Sequence, residues 1–391
     1  MPEKNLDFDT VVDRRGTNSL KYDCAVRRGL PEDVLPFWVA DMDFKTSSCI
    51  QEALQAEVEH GIFGYSEPDE SYFAAVAGWM ERHHNYKVER PWLVKTPGIV
   101  FALAQAVRAF TDPGDSVLVQ QPVYYPFSEV ILDNDRKLVS SDLILGDDGQ
   151  YRIDFADFEK KIVENDVKLF LLCNPHNPGG RVWTREELTN LGDICLAHHV
   201  LVVSDEIHSD FAFAREHTVF ATIKPEFQEN SVIMTAPSKT FNLAALQVSN
   251  VFVANAGLRH KLRAEIGASG YSQLNIMGIL AAKAAYTEGE EWYEGVYQYI
   301  ADNMQYAVDY VNSIPGLSAV VPEGTYLLWV DCRGLGLSAE ELDDRVINRA
   351  KLWLDSGTIF GKAGEGFQRI NVACPRVTLQ QGLERLRLIA D

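Results

Sequence analysis

Short apolar runs, rich in β-branched residues and leucine, recur through the middle of the chain and constrain its fold. They are Ser116–Gln120, Lys168–Cys173, Val200–Ser204, Ser231–Thr235 and Val248–Val253. Helical periodicity marks stretches between several of these runs, such as Ile99–Phe110 and Thr184–His198. Strands that are apolar on both faces and alternate with helices form a mostly parallel sheet covered on both sides. The pattern therefore predicts an α/β protein.

The pattern changes after about residue 285, which indicates a second unit. Its expected elements are a long helix, a strand, a helix, a short strand and a last helix, of which the first four are placed at Glu290–Ser313, Gly324–Asp331, Ser338–Leu352 and Arg369–Val372. This order is typical of a smaller α+β domain. We predict a large domain over residues 46–285 and a small domain over residues 286–391. Residues 1–45 are expected to pack on one of the two.

Charge and cysteine usage exclude several classes of protein. The formal net charge of −20 argues against binding to nucleic acid or to an anionic membrane surface. The sequence contains no apolar run of the roughly 18–20 residues that a membrane-spanning helix needs. Its start, MPEKNLDFD, lacks the apolar core of a signal peptide, and its six cysteines form no C-x-x-C pair. These features predict a reduced, cytoplasmic protein without a membrane or nucleic-acid partner.

Polar segments follow four of the predicted strands. They are Gln121–Phe127, Asn174–Gly180, Asp205–Asp210 and Ala236–Gln247. Each segment alone is typical of a turn or a helix cap. Because ligands bind at the carboxyl ends of strands in an open parallel sheet, the four segments together predict one binding site.

The residues in and near these segments suit one cofactor. Lys239 lies between an apolar strand and the mainly apolar FNLAAL, where a lysine loses its proton readily and can form a Schiff base with an aldehyde. Asp205 can hold a protonated ring nitrogen, Asn177 can donate to a phenolate oxygen, and Tyr124 can stack on an aromatic ring. Thr96–Val100 opens a predicted helix whose amides can bind a phosphate. These parts describe pyridoxal 5′-phosphate (PLP).

The order and spacing of eight motifs add a family resemblance that covers nearly the whole chain. The motifs are DRRGTNSLKYD, WVADMDF, FGYS, NPHNPGG, SDEIHSD, SKTFNLAALQ, GTYLLWVD and RINVACPR. With them the sequence resembles the fold-type I PLP enzymes of the aspartate-aminotransferase superfamily, class I/II. Within it, the chain looks most like the MalY/PatB group of cystathionine β-lyases, also called cysteine-S-conjugate β-lyases. The resemblance implies the fold-type I architecture, with a large PLP-binding domain and a small domain.

The resemblance also implies roles for single residues. Lys239 matches the lysine that binds the cofactor aldehyde, and Asp205 matches the partner of the pyridine nitrogen. Asn177 matches the partner of the ring hydroxyl oxygen and a substrate contact, and Tyr124 matches the stacking aromatic residue. Arg369 matches the arginine that holds the substrate α-carboxylate, a task suited to a bidentate guanidinium.

Further residues are implied as contacts of the cofactor phosphate. Ser238 and the backbone of Gly98, Ile99 and Val100 are expected to bind it within one subunit. Tyr65 matches a tyrosine that reaches the phosphate in the neighbouring subunit, which implies a homodimer.

Two positions depart from ordinary aminotransferases and favour the lyase group. His208 stands three residues after Asp205, where aminotransferases usually carry Tyr, and is expected to contact the cofactor. Gln247 stands eight residues after Lys239, where they usually carry Arg. The predicted activity is α,β-elimination from L-cystathionine or other L-cysteine S-conjugates, which yields a thiol, pyruvate and ammonia. The alternatives are a class I/II aminotransferase and a PLP-bound protein with an added regulatory role.

A metal site is not expected. The adjacent histidine pairs 83–84 and 198–199 cannot present both rings on one face of a helix.

Overall fold

The computed structural model describes residues 6–390 and contains both helices and strands throughout. In chain order, strands β1 to β14 span Leu35–Pro36, Leu93–Thr96, Ser116–Val119, Lys137–Ser140, Ile144–Leu145, Tyr151–Arg152, Val167–Cys173, Leu201–Asp205, Ser231–Thr235, Ser249–Phe252, Leu327–Asp331, Leu352–Trp353, Asp355–Ser356 and Phe367–Asn371. Helices α1 to α14 span Leu20–Asp23, Ser48–His60, Glu70–His84, Ile99–Phe110, Pro126–Leu132, Phe155–Asn165, Arg185–Ala197, Pro225–Glu229, Pro237–Thr240, Ala256–Ala268, Ile276–Glu288, Glu290–Asn312, Ala339–Asp344 and Arg376–Leu386.

A seven-stranded sheet forms the centre of the molecule, in the order β2-β10-β9-β8-β7-β3-β4. The strands from β9 to β4 in this order run parallel, and β10 runs antiparallel to both β9 and β2. Alternate residues of one strand enter different cores: Phe170 and Leu172 of β7 pack in one cluster, and Leu169 and Leu171 in the other. Helices therefore cover both faces, and the predicted α/β fold with a mostly parallel sheet is confirmed.

The predicted elements of this sheet agree with the structure, with two of its seven strands omitted. The five apolar runs are strands, and helix α4 has the bounds that its periodicity predicted. Helix α7 begins with a capping box between Thr184 and Glu187. Strands β2 (LVKT) and β4 (KLVS) were not predicted, because four residues that include a lysine give too short a signal.

A separate three-stranded antiparallel sheet, β11-β14-β13, lies in the C-terminal part. The predicted helix over Ser338–Leu352 was wrong in its length. Helix α13 ends at Asp344, a π turn follows, and Lys351 adopts a left-handed φ of 53°. Leu352 and Trp353 then form β12, which pairs in parallel with β1 from the N-terminal region. That pairing is long-range, so the local periodicity could not reveal it.

The N-terminal segment contacts both predicted units rather than one. Asn371 of β14 donates its side-chain amide to the carbonyls of Val39 and Asp41, at 2.6 Å each. Asn242, which follows α9, donates in the same way to the carbonyls of Met42 and Phe44, at 2.9 and 3.0 Å. The segment therefore connects the two parts of the chain, while the domain division at residue 285 stays a prediction.

The helices in residues 6–390 include none that is both long enough and apolar enough to cross a membrane.

Candidate active site

The loops after β3, β7 and β8 meet at the carboxyl edge of the central sheet. Cys173 and Asp205, the last residues of β7 and β8, lie opposite each other in the parallel register. The amide of Asn174 donates to the carbonyl of Asp205 at 3.0 Å, and the amide of Tyr124 donates to the carbonyl of Asn177 at 3.0 Å. Backbone hydrogen bonds thus bring three of the four predicted segments together.

Lys239, from the fourth segment, lies on the short helix α9 directly after β9. Its Nζ donates to the carbonyl of Ala40 at 2.6 Å. Burial, with a contribution from nearby Arg369, lowers the pKa of Lys239 to about 8 against the opposing effect of Asp41 and Asp205. A buried lysine with this pKa has a substantial neutral fraction near neutral pH, which nucleophilic or basic chemistry requires.

Asp205 is a buried carboxylate that forms no salt bridge with any residue in the described range 6–390. Its Oδ1 accepts from the amide of Ile207 at 3.1 Å. Burial raises its pKa to about 7, although this hydrogen bond and Lys239 both act to lower it. The expectation of an ionised Asp205 therefore depends on a cationic group beside it, because a cation favours the charged carboxylate.

Arg369 lies on β14, with its guanidinium buried against the large sheet. Nη1 donates to Oδ1 of Asn177 at 2.9 Å, and Nη2 donates to the carbonyl of Trp38 at 2.8 Å and to the carboxylate of Asp355. Its guanidinium carbon lies 4.8 Å from the centre of the Phe360 ring. Nε is buried and has no partner among the described residues. A fixed guanidinium with an unused donor suits an anionic ligand.

His208 is buried between Lys239 and Arg369, and its ring makes an edge contact with Tyr326 at 5.9 Å between centres. Burial lowers the pKa of His208 well below its ordinary value, and the two neighbouring cations lower it further. The imidazole is therefore neutral. Its Nδ1 has no hydrogen-bond partner in residues 6–390, so it remains available to a ligand.

The beginning of helix α4 offers free backbone donors. Gly98 precedes Ile99 and Val100, and no side chain caps this helix end. A Cβ placed on Gly98 would meet nothing within 4 Å, so there is open space beside these amides. An uncapped helix start next to open space is suited to a phosphate group.

The other predicted residues lie at different depths. Tyr124 packs at the edge of the Phe127 ring, and burial raises its pKa. Ser238 is partly buried on α9, beside Lys239. Gln247 is exposed, and Tyr65 is 98% exposed in the single chain, so the fold does not bring Tyr65 onto the other site residues of its own subunit.

Taken together, these groups fit PLP, the cofactor that the family resemblance implies. The buried Asp205, whose pKa is raised, calls for a cationic partner such as a pyridinium nitrogen. The depressed pKa of Lys239 suits Schiff-base chemistry, and the open start of α4 suits a phosphate. The described residues contain no group of three or more histidine, cysteine or acidic side chains placed to hold a metal ion.

Sequence reasoning missed several residues that hold the site in place. The carbonyl of Ala40 accepts from both Lys239 and the hydroxyl of Tyr326, the latter at 3.0 Å. Asp355 pairs with Arg369. The WVADMDF motif, which contains Ala40, pointed to this region but not to its carbonyl groups, and no local signal marked Asp355.

The chain is similar over most of its length to known proteins. Residues 32–386 match the family Aminotransferase class I and II. Cystathionine beta-lyase PatB of Bacillus subtilis is 44% identical, over 98% of this chain and 99% of that protein. Protein MalY of Escherichia coli is 33% identical, over 97% and 98% of the two chains.

A solved structure shows the same architecture. Cystalysin from Treponema denticola, whose crystal structure contains pyridoxal 5′-phosphate, is 36% identical, covers 98% of each chain and superposes with a TM-score of 0.94. The chain therefore belongs to the aminotransferase class I and II family and has its fold-type I architecture.

Proposed function

We propose that the protein is a PLP-dependent carbon–sulfur β-lyase. It cleaves L-cystathionine or related L-cysteine S-conjugates to a thiol, pyruvate and ammonia. The observation that carries the proposal is its likeness over nearly the full length to a cystathionine β-lyase, at 44% identity. Buried Asp205, Asn177 and Arg369, together with Lys239, supply the chemistry which that activity needs.

Bound PLP supplies an aldehyde for an amine and a ring that takes up the electron pair left on the substrate α-carbon. Asp205 keeps the ring nitrogen protonated, since its buried carboxylate is stabilised by a cation. Asn177 uses its amide nitrogen for the ring oxygen while its Oδ1 accepts from Arg369. Tyr124 lies against the ring, and neutral His208 offers a hydrogen bond without adding charge.

The substrate is held by its α-carboxylate on Arg369. Asp355, the Trp38 carbonyl and Asn177 fix the guanidinium in place before the substrate arrives. Lys239, with a pKa of about 8, takes the α-proton in its neutral form. The electron pair at the α-carbon would then form a double bond to the β-carbon as the carbon–sulfur bond breaks, and the sulfur would leave as a thiolate with the bonding electron pair. Water would convert the remaining enamine to pyruvate and ammonia.

The cofactor phosphate is placed at the beginning of α4. The amides of Gly98, Ile99 and Val100 and the hydroxyl of Ser238 bind it from one subunit. Tyr65 of the partner subunit completes the phosphate site in a homodimer, which accords with its full exposure in the single chain. The protein is proposed to act in the cytoplasm.

Steady pyruvate and thiol release from L-cystathionine, measured without any keto acid, tests the activity. The purified enzyme should show an absorbance band of the lysine-bound cofactor that borohydride removes, with the label on Lys239. Lys239→Ala should abolish turnover, while Lys87→Ala, at a lysine whose side chain is 78% exposed, should leave it unchanged. Full turnover by Lys239→Ala would refute the assignment.

Transamination is the second candidate, because the family that residues 32–386 match includes aminotransferases. In that reaction Lys239 would return the proton to the cofactor, and the carbon–sulfur bond would survive. Turnover that required a keto acid and released no thiol would favour it.

A further inference from the structure

Arg28 stands over a pair of stacked indoles at the surface of the molecule. Its guanidinium carbon lies 4.6 Å from the ring centre of Trp38 and 5.6 Å from that of Trp353. The two indoles are themselves stacked, with centres 4.5 Å apart and planes inclined by 16°. Arg28 is exposed, whereas both tryptophans are buried. The indoles thus hold a solvent-facing cation in one place.

Trp38 connects this cation directly to the active site. Its carbonyl accepts from Nη2 of Arg369 at 2.8 Å, so one residue contacts both guanidinium groups. Burial raises the pKa of Asp355, while Arg369 and Arg28 both act to lower it. Arg28 therefore lies on the solvent side of the groups that hold the substrate α-carboxylate.

The charge of Arg28 is not neutralised by a neighbour. Among residues 6–390 it forms no salt bridge, and Asp355 is paired with Arg369 instead. The neighbouring Arg27, by contrast, donates to Sγ of Cys24 at 3.1 Å. Arg28 keeps its fork of N–H donors free on the side that faces solvent, in a protein whose net charge is −20.

The position suits a particular part of the substrate. Lys239, Asp205 and Arg369 are enclosed, so a substituent on the substrate sulfur has to extend from them toward solvent. We propose that Arg28 binds a carboxylate carried by the departing thiol and so selects cysteine S-conjugates with an anionic leaving group. L-cystathionine also presents a carboxylate on its leaving thiol, beside an ammonium group that makes this thiol zwitterionic. The proposal rests on the lyase function proposed above and adds its substrate preference.

The expected effect is moderate. Arg28 is already held by the indoles, so less side-chain freedom is lost on binding, but the site is exposed and water screens the charges. We expect Arg28→Gln to lower kcat/KM about fivefold for an anionic conjugate, a size typical of an exposed ion pair.

The experiment compares two substrates of nearly equal shape with the PLP-loaded enzyme. They are S-(2-carboxyethyl)-L-cysteine and its neutral amide, S-(2-carbamoylethyl)-L-cysteine, and pyruvate release is followed for both. Arg28→Gln should reduce kcat/KM for the acid and leave the amide unchanged. Arg28→Glu should enlarge the loss and favour the cationic S-(2-aminoethyl)-L-cysteine. Arg27→Gln, which removes the same charge one residue away, should not change the ratio of acid to amide.

The outcomes separate this proposal from the lyase function. If Arg28→Gln lowers turnover of acid and amide equally, Arg28 serves packing alone and the proposal is overturned, while the lyase function stands. The same conclusion follows if neither substrate is affected. If the wild-type enzyme releases pyruvate neither from these conjugates nor from L-cystathionine, the proposed lyase function is wrong.

Discussion

Two opposite pKa shifts at the active site come from the same cause. Burial raises the pKa of Asp205 to about 7 and lowers that of Lys239 to about 8, because both groups lose hydration when charged. In the protein alone, each shift costs folding free energy at neutral pH. The cost prepares the site for a cofactor that brings a pyridinium nitrogen and an aldehyde. Stability is thus given up for function at these two residues.

Asp205→Asn tests this cost in the cofactor-free protein. The carboxyl has a folded-state pKa above its unfolded value of 3.8, so its penalty is absent at low pH and grows as pH rises toward 7. The stability advantage of the variant over wild type should grow by roughly 1–3 kcal/mol from pH 5 to pH 8. Urea unfolding at the two pH values measures it. A difference that does not change with pH would contradict the argument, and the PLP-loaded variant should lose lyase activity.

Asp210, five residues further along, shows the reverse case. This buried carboxylate accepts from Nε1 of Trp79 at 3.0 Å, bonds Nε2 of His84 at 2.8 Å, and accepts from the hydroxyl of Thr240, next to Lys239. Burial raises its pKa, but these hydrogen bonds and His84 outweigh that effect and hold the pKa below its ordinary value. Asp210 is therefore ionised throughout the range from pH 5 to pH 8.

Replacing this carboxylate with an amide should be costly, because one acceptor oxygen and the negative charge are lost while the three buried donors remain. We expect Asp210→Asn to lower the unfolding free energy by about 2–4 kcal/mol. Unlike the effect of Asp205→Asn, this loss of unfolding free energy should receive no pH-dependent contribution from Asp210 between pH 5 and pH 8, because Asp210 is ionised throughout that range. Glu216→Gln, at an exposed position nearby, should change stability by less than about 0.5 kcal/mol. Equal effects of the two variants in urea unfolding would refute the assigned role of Asp210.

At the scale of the elements, two helical glycines look alike in the sequence and differ in the fold. A Cβ on Gly192 of α7 would lie 2.3 Å from the ring of Phe227, which is fully buried on α8. A Cβ on Gly267 of α10 would meet nothing within 4 Å. Gly192 therefore permits close packing of two helices, whereas Gly267 only weakens its own helix.

These environments predict opposite effects of the same substitution. Gly192→Ala should destabilise the protein by about 1–3 kcal/mol through overpacking. Gly267→Ala should stabilise it by about 0.5–1 kcal/mol, because alanine loses less backbone entropy in a helix. Thermal unfolding of the holoenzyme and both variants measures the pair. A stabilising Gly192→Ala would show that Phe227 moves aside without cost.

Local patterns predicted the central sheet well and the supports of the site poorly, for a physical reason. The apolar runs of β7, β8 and β9 are buried on both faces, so each run indicates a strand by itself. The Ala40 carbonyl, Asp355 and the β1–β12 pairing depend on contacts between distant parts of the chain. A backbone carbonyl has no residue identity, and a long-range strand pair has no local period. The candidate chemistry could therefore be read from side chains, but not the groups that position them.

At the scale of the whole molecule, the WVADMDF segment connects the two parts of the fold through its carbonyl groups. Arg369 and Asn371 of β14 bind it from one side, and Lys239 and Asn242 bind it from the other. Arg14 and Lys21 add ion pairs to Asp43 of this segment, at 2.7 and 2.9 Å. Its displacement would shift both Lys239 and Arg369.

In the proposed dimer each active site would need residues from both subunits, because Tyr65 and Lys239 of one chain would belong to different active sites. In a hybrid of Lys239→Ala and Tyr65→Ala subunits, one site combines the intact lysine of one subunit with the intact tyrosine of its partner. The other site carries both defects. Each single variant should be nearly inactive or strongly impaired as a homodimer, and the hybrid should regain one working site of two.

Mixing the two variants under conditions that exchange subunits should therefore restore part of the activity. Random pairing makes half of the dimers hybrids, so activity should rise to about a quarter of wild type, above that of either variant alone. Replacing Tyr65→Ala with Asp205→Asn in the mixture is the control, since Asp205 and Lys239 lie in the same subunit's site and cannot complement each other. Activity that equals the average of the two unmixed variants would place Tyr65 outside the neighbouring site. Recovery of activity in the mixture of Lys239→Ala and Tyr65→Ala, but not in the control mixture, would mean that Tyr65 of one subunit acts in the active site that contains Lys239 of its partner.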